Sequence, residues 1–428
     1  MLDLRFIREN PEVVKEAIRK KHVSFDLDLL LEKDVRLREL RVKIDDLRAR
    51  RNQGSREISK LQGEEKKKAI SDMQSVVCGL KEMEPEYDDL ERQIGDELLQ
   101  IPLPPADDVP EGETDENNVE ISRWGTPQEF DFEPKDHVEL CEMHDLLDVE
   151  RGVKLAGSRS YILRNEGALL HWAVLRLALD HMLSEGFTPL TVPVLVREEF
   201  MVGTTYFPQG REQAYEIEKD ELFLVGTAEV SLTSYYAGEM LNFEDLPKKL
   251  VSNSPCYRRE AGTYGKDTRG IYRIHQFDKV EQVIVCENDP AISSEMHQFI
   301  LANAEQVTQK LELPYRVMEV CTGDMGLGKY KMYDIECWMP SRNAYGETHS
   351  CSNLHDFQAR RLNLRYRDAE GKPKFAHTLN NTVLASPRIL IPLLENNQQA
   401  DGSIRIPEAL RPYMGGKEVL DPPHPNIP

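Results

Sequence analysis

No stretch of this 428-residue chain approaches 18 apolar residues in a row, and the opening MLDLRFIREN lacks the apolar run of a secretory signal. A cytoplasmic protein without membrane association is therefore expected. Cysteine is sparse: seven, an odd number with no Cys-x-x-Cys pair, argue against a disulfide framework or a thiolate zinc site. Reduced, mostly buried thiols fit better. Positive charge is also short, with 54 Lys and Arg against 75 Asp and Glu and a formal net charge of −21. That excludes non-specific nucleic-acid binding by the whole surface, so any RNA contact must be local. What remains, 40% hydrophobic and 30% charged residues, describes a globular protein with some long polar helix. The length calls for at least two units.

Residues 1 to 27 read as a short amphipathic helix and a connection, with Asn10-Pro11 as a helix start. From Leu37 the pattern tightens into a heptad seam, Leu37, Leu40, Ile44 and Leu47, continued by Ile58 and Leu61. A second run keeps the same spacing through Met73, Val76, Leu80, Met83, Tyr87, Leu90 and Ile94, with Gln62-Gly63 to Lys68 as the reversal. This predicts an antiparallel coiled-coil arm over about residues 28–98, reaching roughly 50 Å at 1.5 Å per residue. Gly54 in the seam and Pro85 inside the second helix predict a weak spot or kink near each. From Lys33 to Lys68, 13 Lys and Arg stand against 7 Asp and Glu. A basic rod in an acidic chain suits a phosphate backbone. The proline- and acid-rich segment Ile101 to Asn118 reads as a linker. The expected domains are thus 1–110 and 111–428.

The most informative stretch is Ser252 to Glu287, two strand-like segments joined by AGTYGKDTRG. Residues two apart on a strand share a face. That puts Arg258 with Glu260, and Arg273 with Phe277 and Glu281, while Arg259 and Tyr272 fall on the opposite face. An arginine, a ring and two carboxylates on one sheet surface suit a planar, charged ligand such as a nucleotide. Lys266, Arg269 and the glycines Gly262, Gly265 and Gly270 suit a mobile flap over phosphates.

YRREAGTYGKDTRGIYRIHQFDKVEQ resembles motif 2 of the class II aminoacyl-tRNA synthetases and, in detail, the bacterial-type seryl-tRNA synthetase family. GFTPLTVPVLVREEFMVGTTYFP resembles motif 1, with Pro193 at the motif's proline; the resemblance implies a two-fold homodimer interface, while the residues alone mark Pro193 as a strand edge or bend. In FLVGTAEVSL, Thr227 and Glu229 would share a face beside Gly226, the alternative being a helix start capped by Thr227. The resemblance implies that Thr227, Ala228 and Glu229, joined by Glu281, contact the amino acid.

NAYGETHSCSNLHDFQARR clusters Glu347, Thr348, His349 and Ser350 on a strand, where the resemblance implies ATP contacts and a magnesium ion held by Glu347 and Ser350. Strict alternation sets residues three apart on opposite faces, so a bulge or twist must intervene, or one of the two is not a ligand. His349 departs from the family's usual small residue and reads as a satisfied core histidine. HTLNNTVLASPRILIPLLENNQ resembles motif 3, with Arg388 near a helix start, Thr382 where a hydroxyl meets the serine side chain, and Asn381, Val383 and Pro387 where small residues are commoner.

The resemblance implies an α+β fold: a mixed, mostly antiparallel sheet flanked by helices, the class II synthetase catalytic domain, with an N-terminal antiparallel helical coiled-coil arm. It implies ligation of L-serine to tRNA(Ser), and to tRNA(Sec) with it, through a seryl-adenylate made from ATP with Mg²⁺ and without zinc. The arm would recognise the tRNA by shape and backbone. Arg258 would grip the α-phosphate and substrate carboxylate, Glu260 the adenine amino group, Phe277 the ring face, and Arg269 and Arg388 the outer phosphates, with Arg259 also near ATP. Glu281 and Thr382, left unpaired by alanine, would discriminate up to roughly 10⁴-fold. A ligase loading a carrier protein would lack a basic arm, and a coiled-coil interaction protein would not keep Arg258, Glu260, Glu281, Glu347 and Arg388 together. The tail DPPHPNIP reads as extended or disordered.

Overall fold

The computed structural model describes residues 1–262 and 269–422. Gly265 and Lys266 of the expected flap and the tail from residue 423 lie outside the described residues. The chain divides into two compact units, Met1–Pro104 and Pro105–Pro428.

In the first unit, two short helices, α1 (Leu4–Glu9) and α2 (Pro11–Lys20), stand where one was expected, with Asn10 between them and Pro11 at the first position of α2. The long helices are α3 (Leu27–Ile58) and α4 (Gly63–Leu98). Asp26 starts α3 by accepting from the Leu29 amide at 3.1 Å. Leu40, Ile44 and Leu80 form the buried seam, flanked by Leu47, Met83, Tyr87 and Leu90. The reversal is shorter than expected, because only residues 59–62 separate the helices and Gly63 already opens α4. Helix α4 continues through Pro85. Gly54 is where the seam makes room: a Cβ there would lie 1.9 Å from Cε of Met73, so the methionine of α4 occupies the missing side chain's place.

The charge of the arm differs from a uniformly basic rod. Residues 69–98 carry two Lys and Arg against nine Asp and Glu, which brings 33–98 to 15 basic and 16 acidic residues. Arg36 pairs with Glu86 at 2.8 Å, Arg48 with Glu84 at 2.8 Å, and Lys33 with Glu97. The positive excess survives at the turn end, where residues 49–68 hold seven Lys and Arg against three Glu.

At the other end of α3, Asp34 is 1% exposed and accepts from Arg8 Nε and Nη2, both at 2.7 Å, and from Arg38 Nε at 3.1 Å. Removing a buried carboxylate that answers two guanidinium groups leaves both without their partner. Asp34→Ala should lower the unfolding free energy of this unit by about 2 kcal/mol. Urea denaturation followed by circular dichroism measures it, and an unchanged midpoint would show that the cluster adds nothing.

The second unit begins earlier than the expected boundary at 110/111. Ala106 and Val109 are buried against Val320 and Met325, and the Ala106 amide donates to the Tyr330 carbonyl at 2.9 Å. The segment after Pro104 is therefore tied down rather than free. Its centre is an eight-stranded sheet of β1 (Val119–Trp124), β2 (Thr188–Pro189), β3 (Lys248–Tyr257), β4 (Gln276–Cys286), β5 (Tyr315–Glu319), β6 (Lys331–Met339), β7 (Ala344–Asn353) and β8 (His377–Ser386). The spatial order is β1-β5-β6-β7-β8-β4-β3-β2, antiparallel except for the β2–β3 pair. Helices α5 (Asn165–Ser184) and α7 (Pro290–Lys310), numbered with α6 (Glu229–Thr233) between them, pack on this sheet. Leu170, Val174, Ile300, Ala304 and Val307 meet Val280, Ile284, Leu379 and Val383 in one core.

Two bulges break the two-residue alternation. In β7, Ile335 faces His349 and Glu336 faces Glu347, leaving Thr348 extra; in β8, Val280 faces Leu384 and Glu281 faces Thr382, leaving Val383 extra. An extra residue re-aims the side chains beyond it. All seven cysteines are unpaired, and Cys78 alone among them is exposed. Among the described residues, no helix is long and apolar enough to cross a membrane.

Candidate active site

A cleft is lined by side chains from β4, β7 and β8 and from the segment following β3. Of the predicted residues, Glu229, Arg258, Glu260, Phe277, Glu347, Thr348, His349, Ser350, Thr382 and Arg388 line it. The Thr348 bulge is the reason Glu347 and Ser350, three apart, both reach it. Arg258 is steadied by donating Nε–H to the Gly226 carbonyl at 3.2 Å and by lying over the Phe277 ring at 5.2 Å. Arg388 precedes the buried helix α9 (Leu390–Asn397), numbered after α8 (Phe357–Leu362). Its guanidinium donates to the carbonyls of Tyr272 and Glu347 at 3.3 and 3.2 Å and covers the Tyr272 ring at 4.5 Å. The cleft thus presents two anchored cations, each lying over an aromatic ring. Such an arrangement can orient a polyanion and stabilise charge that develops on it.

The histidine is as the sequence suggested. His349 is 2% exposed, with Nδ1 at 2.8 Å from Thr348 Oγ1 and Nε2 at 3.1 Å from the Val383 carbonyl. Burial lowers its pKa to about 4, so the ring is neutral and joins the two bulge residues to each other. Asn381 and Val383, the departures in the third motif, turn away from the cleft: Asn381 Nδ2 donates to the Ile300 carbonyl at 2.7 Å, and Val383 belongs to the core.

Other expectations need correction. Thr227 is buried and its Oγ1 accepts from the Glu229 amide at 3.1 Å, so it starts helix α6 rather than sharing a strand face with Glu229. Ala228 is also buried. Glu281 lies one layer beneath the cleft, fully buried, ion-paired with Lys279 and accepting from Asn380 Nδ2 at 3.1 Å. Arg259 lines a separate cleft with Arg211, Tyr215 and Glu216. Arg269 pairs with Asp136 at 2.8 Å. Tyr272, assigned to the opposite face, lines the active cleft. For Arg259 and Tyr272 the cause is common: β3 ends at Tyr257 and β4 begins at Gln276, so alternation does not govern residues 258–275. Glu260 indeed has φ +52°.

Residues the sequence reading missed are Lys279, Asn380, Lys329 and Tyr206, all lining the cleft. Lys279 Nζ donates to Thr382 Oγ1 at 3.3 Å and neutralises Glu281. It lies on the face that alternation gave to Phe277 and Glu281, so the same rule could have found it. Tyr206 donates to Glu229 Oε2 at 2.9 Å, and burial, with the Glu229 charge next, raises its phenol well above the usual range.

Comparison with known proteins agrees with this geometry. Residues 1–105 match the family profile described as Seryl-tRNA synthetase N-terminal domain, and residues 214–397 match the tRNA synthetase class II core domain (G, H, P, S and T). The serine–tRNA ligase of Deinococcus radiodurans is 49% identical over 423 residues, covering 99% of this chain and 100% of the relative. The chain belongs to the seryl-tRNA synthetase family. The serine–tRNA ligase of Dictyoglomus turgidum is 44% identical over 423 residues, 98% of this synthetase and 99% of the relative. A crystal structure of the seryl-tRNA synthetase from Pyrococcus horikoshii complexed with ATP superposes with a TM-score of 0.92 at 38% identity, covering 99% of this synthetase and 100% of that chain. A Giardia lamblia prolyl-tRNA synthetase shares the fold alone, at 15% identity, TM-score 0.56 and coverage of 64% and 55% of the two chains.

Proposed function

We propose that this chain activates L-serine with ATP and transfers it from the seryl-adenylate to tRNA(Ser), with tRNA(Sec) as a second acceptor, as a cytoplasmic homodimer. The observation that carries the reading is the convergence of ten predicted side chains, from residue 229 to residue 388, on one cleft. Arg258 would bridge the serine carboxylate and the α-phosphate, Phe277 and Glu260 would receive the adenine, and Arg388 the outer phosphates. Arg269 can join them by leaving Asp136. Glu229 would form the ammonium side of the amino-acid subsite, with the buried Thr227 setting its backbone by accepting from the Glu229 amide at 3.1 Å. The carboxylate of serine attacks phosphorus in line and pyrophosphate leaves, so positioning and charge neutralisation suffice and no general base is assigned.

The residues fit Mg²⁺. Glu347 and Ser350 offer hard oxygens on one side of the cleft. Asp334, opposite Ser350 in β6, has its carboxyl raised well above the usual range, by burial first and then by the Glu347 charge. A bound Mg²⁺ would screen the phosphates. The homodimer is supported by large apolar side chains facing outward on α5, Leu169, Trp172 and Leu183, with Trp172 63% exposed.

Substrate choice tests the reading through serine-dependent ATP–pyrophosphate exchange. Lys279 satisfies both Glu281 and Thr382, so alanine strands neither, and discrimination should fall below the 10⁴-fold expected from unpaired groups. Serine should exceed alanine in kcat/KM by about 10²-fold. Comparable exchange with alanine would refute the assignment of this corner to the serine hydroxyl.

A further inference from the structure

A run of buried polar side chains behind Glu229 is not explained by the reaction. Gln358 stands on α8 within the stretch FQARR, is 1% exposed, and is not among the residues lining the cleft. A leucine could fill such a place, whereas an amide taken out of water is costly unless each of its atoms is used. Gln358 uses them. Its Nε2 donates to Glu229 Oε1 at 2.8 Å and to the Thr204 carbonyl at 3.1 Å, and its Oε1 accepts from Thr378 Oγ1 at 2.8 Å. From the other side Tyr206 donates to Glu229 Oε2 at 2.9 Å.

Each oxygen of the Glu229 carboxylate is thereby held by a donor from a different segment, which fixes the plane of the group. The Gln358 amide cannot turn over without placing its oxygen against that carboxylate. Thr378 fixes the amide in turn, from the first turn of β8. The charged groups lining the same cleft are Arg258, Glu260, Lys279, Lys329, Glu347 and Arg388.

We infer that Gln358 is a positioning residue for the amino-acid subsite: from outside the cleft it sets the carboxylate of Glu229, and with it the affinity for the serine ammonium. The inference rests on the proposed role of Glu229 and deepens it. The effect should fall on serine and spare ATP, because Gln358 touches nothing on the nucleotide side.

Gln358→Met removes both hydrogen-bonding atoms at similar volume, and Gln358→Glu keeps the shape while setting a second carboxyl against Glu229. In pyrophosphate exchange, serine KM should rise roughly 10- to 100-fold in both, the range for losing a hydrogen bond to a charged group. ATP KM should stay near the parent's, while the melting temperature should fall by a few degrees because both variants leave buried partners of Gln358 unanswered. In Gln358→Glu the serine penalty should shrink as pH falls from 8 to 6, since a proton on the introduced carboxyl restores a donor to Glu229. A merely structural glutamine would show no such pH profile. Serine KM within about threefold of the parent in both variants, or equal rises for serine and ATP, would overturn the inference. Glu229→Gln separates the two claims: if it leaves serine KM unmoved, the reading of Glu229 fails and the inference with it. If it raises KM while the Gln358 variants do not, the inference alone fails.

Discussion

Replacing Arg258 with alanine should reduce serine-dependent pyrophosphate exchange by about 10³-fold or more in kcat/KM, with little change in melting temperature. In the proposed complex this side chain meets two anions at once, the serine carboxylate and the α-phosphate. Their mutual repulsion is what the cation must offset as the nucleophile approaches phosphorus. The folded chain holds the guanidinium ready: Gly226 accepts from its Nε and Phe277 supports its face. Arg258→Lys should recover only part of the loss, because an ammonium cannot stack on Phe277 or present a planar fork to two anions. Exchange within about tenfold of the parent in the alanine variant would remove Arg258 from the centre of the chemistry.

The long-range sequence signals proved reliable where a regular element carried them. Leu40, Ile44 and Leu80 are the buried seam that heptad spacing indicated. Alternation left a bulge, a twist or a wrong ligand open between Glu347 and Ser350, and the extra residue Thr348 is a bulge. Legibility ended where elements ended. Tyr272 and Arg259 were assigned by alternation in a segment that is not a strand, and Thr227 belongs to a helix start instead of an extended loop. Lys279 was legible but overlooked, since alternation puts it on the face of Phe277 and Glu281, and Glu281 is its partner. Partners that meet through the fold cannot be read from spacing. Gln358 and Glu229 are 129 residues apart, and only the packing of α8 beside α6 brings them to hydrogen-bond distance.

The arm carries the second large effect. Lys33 and Glu97 pair across α3 and α4, so the two helices are adjacent at their base and a short linker can replace residues 33–95 without pulling the remainder apart. That deletion should leave pyrophosphate exchange within about twofold of the parent, because every residue lining the cleft lies in the other unit. Charging of tRNA(Ser) should fall on the order of 10³-fold in kcat/KM, the loss expected when several phosphate contacts disappear together. The distribution of charge sharpens the expectation. Much of the positive charge on the base half of α3 is paired with α4, whereas Arg50, Arg51, Arg56, Lys60 and Lys66–Lys68 crowd around the turn. Neutralising the turn-end cations alone should reproduce most of the charging defect and flatten its dependence on salt, while neutralising Arg36 and Arg48 should do neither. Charging that survives the deletion would assign tRNA recognition to the catalytic unit. A defect that follows Arg36 and Arg48 instead would place the contact on the paired half of the helices.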